Sequence, residues 1–225
     1  DKDKLYSFLR EMEFNRLLSQ AIANYGEPKI EIKNTIVNQE KIDRGKYITL
    51  KRLEDLDSWI NLAEKYGEIA VDTETSSLNP HEAELLGISL CVKPGKSCYI
   101  PLKHSSENTL DKKDVLKKIK SLLEDNSVKK IGQNIKYDYI VFFQQGIDVN
   151  PIEDTMLMSY VLDAGNHRHN MDHLSSIHLG HKTISYKDLV GSGKKQLNFD
   201  QVSIKKATEY SAEDADVTFR LYKIF

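Results

Sequence analysis

The strongest constraint on this chain is acid standing where apolar side chains belong. The run Ile69-Ala70-Val71 leads straight into Asp72-Thr73-Glu74. Aspartate is depleted in strands, so two carboxylates closing an apolar strand need a reason. Residues i and i+2 of a strand point to one face, which brings Asp72 and Glu74 to one spot. Convergent carboxylates of this kind suit Mg²⁺ or Mn²⁺.

Two further acids break a pattern in the same way. From Ile204 to Phe225, the residues Ala207, Tyr210, Asp214, Val217 and Leu221 recur at spacings of three and four. That is the stripe of an amphipathic helix, and Asp214 interrupts it. A carboxylate in a core is costly unless it is paired or holds a metal. Tyr210, one turn earlier on the same face, can serve the same site. Glu209, Glu213, Asp216 and Arg220 fall on other faces and read as solvated charges, so replacing Asp216 is expected to change little. Between these clusters, Val128 to Gly132 reads as a short strand. Asn134 is the expected N-cap of a helix over Ile135 to Gln145, closed by Gly146. That helix is apolar nearly all round, yet Asp138 occupies its second turn. Each cluster alone is weak evidence, since an Asp-x-Glu at a strand end is usually a turn and a lone buried acid usually meets an Arg. Three such anomalies in order along one chain point to a shared site.

The rest of the pattern gives the fold class. Strands are expected over Glu68 to Thr73, Glu84 to Val92 and Ser97 to Leu102, with a turn at Lys93 to Lys96 and an edge strand at Tyr47 to Leu50. Helices are expected over Leu53 to Ala63, ended by Gly67, and over Asp111 to Glu124, with its lysines outward. Strands joined by a hairpin and then alternating with helices make an α/β protein, a mixed sheet with helices on its faces. Residues 1–45 read as an N-terminal helix and linker arm: a helix over Asp1 to Tyr25 burying Leu5, Phe8, Leu9, Phe14 and Leu17, then a linker over Gly26 to Gly45. Residues 46–225 form the main domain.

Composition narrows the function. A net charge of −2 over 225 residues gives no basic footprint of the sort a duplex-binding protein carries. A metal nuclease acting on a few terminal nucleotides needs none. No run is apolar enough to span a bilayer and no leader is visible, so a cytoplasmic location is expected. The two cysteines are expected to be free thiols. Cys91 and Cys98 would face each other if Pro94-Gly95 is a two-residue hairpin turn.

The motifs Asp72-Thr73-Glu74, Asn134-Ile135-Lys136-Tyr137-Asp138 and Tyr210-Ser211-Ala212-Glu213-Asp214 resemble the three motifs of the DEDD 3′–5′ exonucleases. Tyr210 resembles the tyrosine branch; the other branch has a His where Glu209 stands. Pro94-Gly95, Tyr99-Ile100-Pro101-Leu102, Gly132-Gln133-Asn134, Asp154-Thr155-Met156-Leu157 and the Gly191 to Phe199 segment resemble the proofreading domain of the bacterial DNA polymerase I family. The resemblance covers Trp59 to Phe225, and Asp1 to Leu18 resembles the end of the preceding 5′-nuclease region.

The resemblance implies a ribonuclease H-like fold and hydrolysis of single-stranded or frayed DNA 3′ ends to 5′-mononucleotides. It implies two divalent ions, Mg²⁺ or Mn²⁺, with Zn²⁺ an alternative at one site. Asp72, Glu74 and Asp214 would hold one ion, Asp72 would bridge to the other, Asp138 would support it through water, and Tyr210 would orient the attacking water. Leu78 matches a residue wedged against the terminal base. Gln133, Asn134 and Tyr137 match residues near the last nucleotides, and Arg168 and Tyr186 match single-strand contacts. The implied partners are a single-stranded DNA 3′ end and the polymerase and 5′-nuclease domains of a longer, monomeric bacterial chain.

A ribonuclease D-like exoribonuclease would share the three motifs, though the Pro94 to Leu102 and Gly191 to Phe199 segments argue against it. A structural platform without activity would need broken metal motifs, and these are intact. Gly191-Ser192-Gly193-Lys194-Lys195 lacks the spacing and the hydroxyl of a phosphate loop. His167, His169, His173, His178 and His181 lack zinc-type pairing.

Overall fold

A computed structural model describes residues 1–12, 14–26 and 41–225, apart from the side chain of Lys194. The chain divides into two compact units, Asp1–Val37 and Asn38–Phe225. Most of the expected linker thus lies outside the described residues. The first unit holds two helices, α1 (Lys2–Glu11) and α2 (Asn15–Tyr25), where the sequence suggested one. Its buried side chains are Tyr6, Leu9 and Ala21, with Leu18 and Ile22 against them. Leu5, Phe8, Phe14 and Leu17 are exposed, because the break lets the helices pack on each other through a different stripe.

The second unit is built on a mixed six-stranded sheet in the order β1-β4-β3-β2-β5-β6. Its strands are β1 (Ile48–Thr49), β2 (Glu68–Thr75), β3 (Leu85–Lys93), β4 (Lys96–Pro101), β5 (Lys129–Gly132) and β6 (Ile152–Asp154). The pairs β2–β3 and β3–β4 are antiparallel; β1–β4, β2–β5 and β5–β6 are parallel. This is the ribonuclease H-like arrangement. The strand β6 was not legible, being three residues of Ile-Glu-Asp.

Helices α3 (Leu53–Tyr66), α4 (Lys112–Leu123) and α5 (Lys136–Phe143) follow. Asp111 caps α4 through its side chain, and Gly67 ends α3 in the left-handed conformation its φ of 69° requires. One sheet face carries Ile69, Val71, Ile88, Leu90, Cys98 and Ile100 into the larger core with residues of α3, α4 and α5. After the short helices α6 (Thr155–Asp163), α7 (Met171–Leu174) and α8 (Tyr186–Val190), the 19-residue α9 (Ile204–Tyr222) packs on the opposite face. Ala70, Cys91 and Ile131 meet Ala215 and Phe219 there.

Three expectations are corrected. First, Glu213 and Asp216 are fully buried and Arg220 is 2% exposed, so they are not solvated charges. Helix α9 is covered nearly all round, and its charges are matched by distant partners. Glu213 accepts from Arg44 Nε (2.7 Å), from Ile184 N (2.7 Å) and pairs with His181 Nε2 (2.7 Å). Asp216 accepts from Tyr47 Oη (2.8 Å), Gly95 N (2.8 Å) and Arg220 Nε (3.0 Å).

Second, a bulge between Cys91 and Lys93 shifts the hairpin register, so Cys91 pairs with Ser97 and Leu90 with Cys98. A one-residue slip puts the two cysteines on opposite faces. Both are buried and free. Third, Asn134 is not an N-cap: it has φ of 60°, and α5 begins after Ile135. The carboxylate of Asp154, which caps α6 by accepting from Met156 N (2.9 Å) and Leu157 N (3.4 Å), also accepts from Asn134 N (3.0 Å) and Ile135 N (3.1 Å), holding the backbone that leads into α5.

Candidate active site

The acids meet at one end of the sheet. Asp72 and Glu74 stand on the α9 face of β2, and Asp214 comes down from α9. Ligand oxygens of these three residues all lie within 4.8 Å of one another, the arrangement a divalent cation needs. Asp138 arrives from α5 by a separate route. Strand β5 pairs with β2 only as far as Ala70, opposite Ile131. Farther along β2, the Thr73 N–H donates instead to Asp138 Oδ1 (2.9 Å), and Thr73 Oγ1 donates to the same oxygen (2.5 Å). The place where the sheet opens is thus the place where Asp138 is held.

Hydroxyls orient the two strand acids as well. Ser211 Oγ donates to Glu74 Oε1 (2.6 Å) and Ser89 Oγ to Asp72 Oδ2 (3.4 Å). None of the four carboxylates joins an ion pair among the described residues. Burial and mutual repulsion therefore raise their proton affinity. Glu74 and Asp138 are each pushed up to about 7, chiefly by burial. Asp72 and Asp214 rise well above the usual carboxylate range, burial leading, with Asp138 the main repelling neighbour of Asp72 and Glu74 that of Asp214. Crowded acids without a cationic side chain are what a resident metal ion would stabilise.

Tyr210 lies one turn before Asp214, and its ring rests in a minor core of Leu86, Tyr99, Leu189, Val190, Phe199, Val202 and Ala207. Burial, and then the charge of Asp214, raise its phenol far above the ordinary value, so it stays protonated. Tyr186 meets Tyr210 edge to face at 6.2 Å and is 45% exposed. Leu78, on the loop after β2, is 97% exposed, so it is not a packing residue. Tyr137 fastens the start of that loop, donating to the Ser77 carbonyl and sharing a 2.5 Å hydrogen bond with Thr75 Oγ1.

Of the other expected contacts, one is engaged within the protein and one is exposed. The Gln133 amide is already engaged, donating to the His169 carbonyl (2.8 Å) and accepting from Thr155 Oγ1 (2.5 Å). Arg168 is exposed in the loop between α6 and α7. Sequence reasoning missed the orienting hydroxyls of Thr73, Ser89 and Ser211 and the hold of Asp154 on the Asn134 and Ile135 amides. Thr73 and Ser211 stand beside the acids in the motifs; nothing local marks Ser89.

Residues 47–225 match the family model described as 3′-5′ exonuclease. The chain belongs to this 3′–5′ exonuclease family. It is a hydrolase domain of the type found in DNA polymerase I. It is 44% identical over 202 residues to DNA polymerase I of Rhizobium leguminosarum, covering 81% of this chain and 20% of that protein. It is 38% identical to DNA polymerase I of Pseudomonas aeruginosa, covering 99% of this chain and 25% of that protein. The exonuclease chain thus spans a fifth to a quarter of these relatives.

Among solved structures, Brucella melitensis NrnC is similar at a TM-score of 0.56 and 21% identity, covering 79% of this chain and 77% of that one. Trypanosoma brucei RNase D is similar at a TM-score of 0.62 and 16% identity, covering 79% of this chain and 63% of that one. At such identities these likenesses speak for the fold. Among the described residues, no helix of this exonuclease is long and apolar enough to cross a membrane.

Proposed function

We propose that this exonuclease removes nucleotides from the 3′ end of single-stranded or frayed DNA, as the proofreading part of a longer polymerase chain. The observation that carries the reading is the convergence of Asp72, Glu74 and Asp214 within 4.8 Å, beside Tyr210. These residues, with Asp138, would hold two divalent ions: Mg²⁺ or Mn²⁺, with Zn²⁺ an alternative at one position. Such ions, when bound, activate a water and neutralise charge building on the phosphate.

The protein's own groups do the rest. Thr73, Ser89 and Ser211 fix the carboxylates in place before substrate arrives, which avoids reorganisation during the reaction. Tyr210 keeps its proton and so acts as a hydrogen-bond donor that orients the attacking water, not as the base. Leu78 and Tyr186 offer apolar surface against which unpaired terminal bases wedge and stack, a sequence-tolerant way to hold a single strand. Arg168 contributes a phosphate contact. Gln133, Asn134 and Tyr137 shape the floor under the last nucleotides. The similarity to DNA polymerase I at 38–44% identity favours DNA over RNA as substrate. The covalent partners in the longer chain would be a polymerase domain and a 5′-nuclease region whose end is residues 1–45, with the whole acting as a monomer.

A paired end must give up stacking and pairing worth about a few kcal/mol before it can enter, and least where it is mismatched. The test is a time course with 5′-labelled single strand, matched and mismatched primer termini, and an RNA oligomer of the same sequence, in Mg²⁺ and in chelator. Mononucleotide release from the single strand and the mismatched end first, absent in chelator, is the expected result. Preference for RNA, or equal rates on all DNA forms, would overturn the proofreading reading.

A further inference from the structure

Directly paired residues of a sheet share a face, so Asp72, Ser89 and Tyr99 form one row and Glu74, Gly87 and Pro101 the next. Tyr99 does not stay in its row. A Cβ placed on Gly87 would lie 2.2 Å from the Tyr99 hydroxyl and within 2.5 Å of its ring. The phenol therefore occupies the space a side chain at position 87 would fill, about 5 Å across the strands from the Cβ of Glu74. Gly87 has ordinary strand geometry, so glycine is needed there for room and not for backbone freedom. Tyr99 is 2% exposed, and none of the described residues accepts its proton. Its ring continues into the aromatic set that seats Tyr210: Tyr99 meets Phe199 at 6.4 Å, and Phe199 meets Tyr210 at 6.3 Å, both edge to face.

We propose that Tyr99 is a positioning residue of the acidic site, its hydroxyl supporting the ligand shell beside Glu74 and its ring fixing Tyr210 through Phe199. Gly87 is its seat. The proposal rests on the metal-dependent reading of that site. The hydroxyl lies over Gly87, which pairs with Glu74, without a direct hydrogen bond to either strand carboxylate, so the acceptor for its proton is water held beside Glu74.

Three variants test it. Tyr99→Phe removes only the hydroxyl and keeps the packing. It should bind Mn²⁺ about tenfold more weakly by calorimetry, the low end for outer-shell partners of a metal. Its kcat should fall with KM unchanged, and its unfolding midpoint should stay near wild type. Gly87→Ala should lose both stability and kcat, because the added methyl displaces the phenol. In Gly87→Ala/Tyr99→Leu the clash is gone, so stability should return while kcat stays low. Wild-type Mn²⁺ affinity and kcat in Tyr99→Phe, or recovery of kcat along with stability in the double variant, would reduce Tyr99 to filler. Mn²⁺ affinity is read without substrate, so the proposal can fail or stand whichever nucleic acid the domain degrades.

Discussion

Asp214 and Asp216 lie two residues apart on one buried helix and meet opposite surroundings. Asp216 accepts from Tyr47, from the Gly95 amide and from Arg220, so its charge is matched inside the protein. Asp214 faces Asp72 and Glu74 within 4.8 Å. Each aspartate has a tyrosine beside it with a strongly raised phenol, Tyr47 and Tyr210 respectively. The comparison teaches that burial of an acid does not mark a site. What marks it is whether the protein supplies the countercharge or leaves that to something bound.

Replacing Asp214 should therefore act on chemistry. Asp214→Ala is expected to reduce metal-dependent 3′ degradation by about a thousandfold or more, in line with loss of a main transition-state stabilising group. Its metal-free stability should be unchanged or raised, since one of several crowded carboxylates is gone. A steady-state rate and a denaturant titration check both halves. Asp216→Ala should do the reverse. Removing one partner of a buried pair costs about 3–5 kcal/mol, so the variant should unfold earlier while each folded molecule keeps most of its rate. Unchanged stability in Asp216→Ala would break the comparison.

The two tyrosines sharpen it. Tyr210→Phe should slow turnover by tens- to hundreds-fold while keeping metal affinity, because only the donor to the attacking water is lost. Tyr47→Phe should leave turnover alone and cost about 1–3 kcal/mol, the penalty for an under-satisfied buried carboxylate. Single-turnover kinetics alongside urea unfolding separates the two. A separate effect is expected in pH. Glu74 and Asp138 hold protons up to about pH 7 in the folded state but release them near their ordinary values when unfolded. The folded state then binds more protons, so metal-free stability should fall as pH rises from about 4 to about 7. In chelator, Glu74→Gln should flatten that fall, and Mg²⁺ should recover stability at the alkaline end. Stability rising across this window in wild type relative to Glu74→Gln would contradict it.

Much of the site was legible because an acid in an apolar pattern is visible locally. Asp72, Glu74, Asp138 and Asp214 each break a strand or helix stripe, and the structure brings them to one end of the sheet. The burial of Glu213, Asp216 and Arg220 was not legible. A stripe at spacings of three and four implies a helix with one wet face, whereas α9 is covered by segments far away in sequence, such as those carrying Arg44, Tyr47 and His181. Strands β1 to β5 were legible to within two residues, but β6 was not, and neither was the bulge after Cys91, since one extra residue leaves no mark in an apolar run. The hold of Asp154 on the backbone before α5 was hidden for the same reason as the buried charges: those partners come from another element.

The central claim is that Asp72, Glu74 and Asp214 leave their charge to be matched by a bound divalent cation. The most direct measurement is a calorimetric titration of the metal-free exonuclease with Mn²⁺ near pH 7.5, beside Asp214→Ala and Asp216→Ala. The account predicts saturable binding by wild type, binding retained in folded Asp216→Ala, and a loss of about tenfold or more in Asp214→Ala. Equal Mn²⁺ affinity in wild type and Asp214→Ala, or no saturable binding by any of the three, would contradict it.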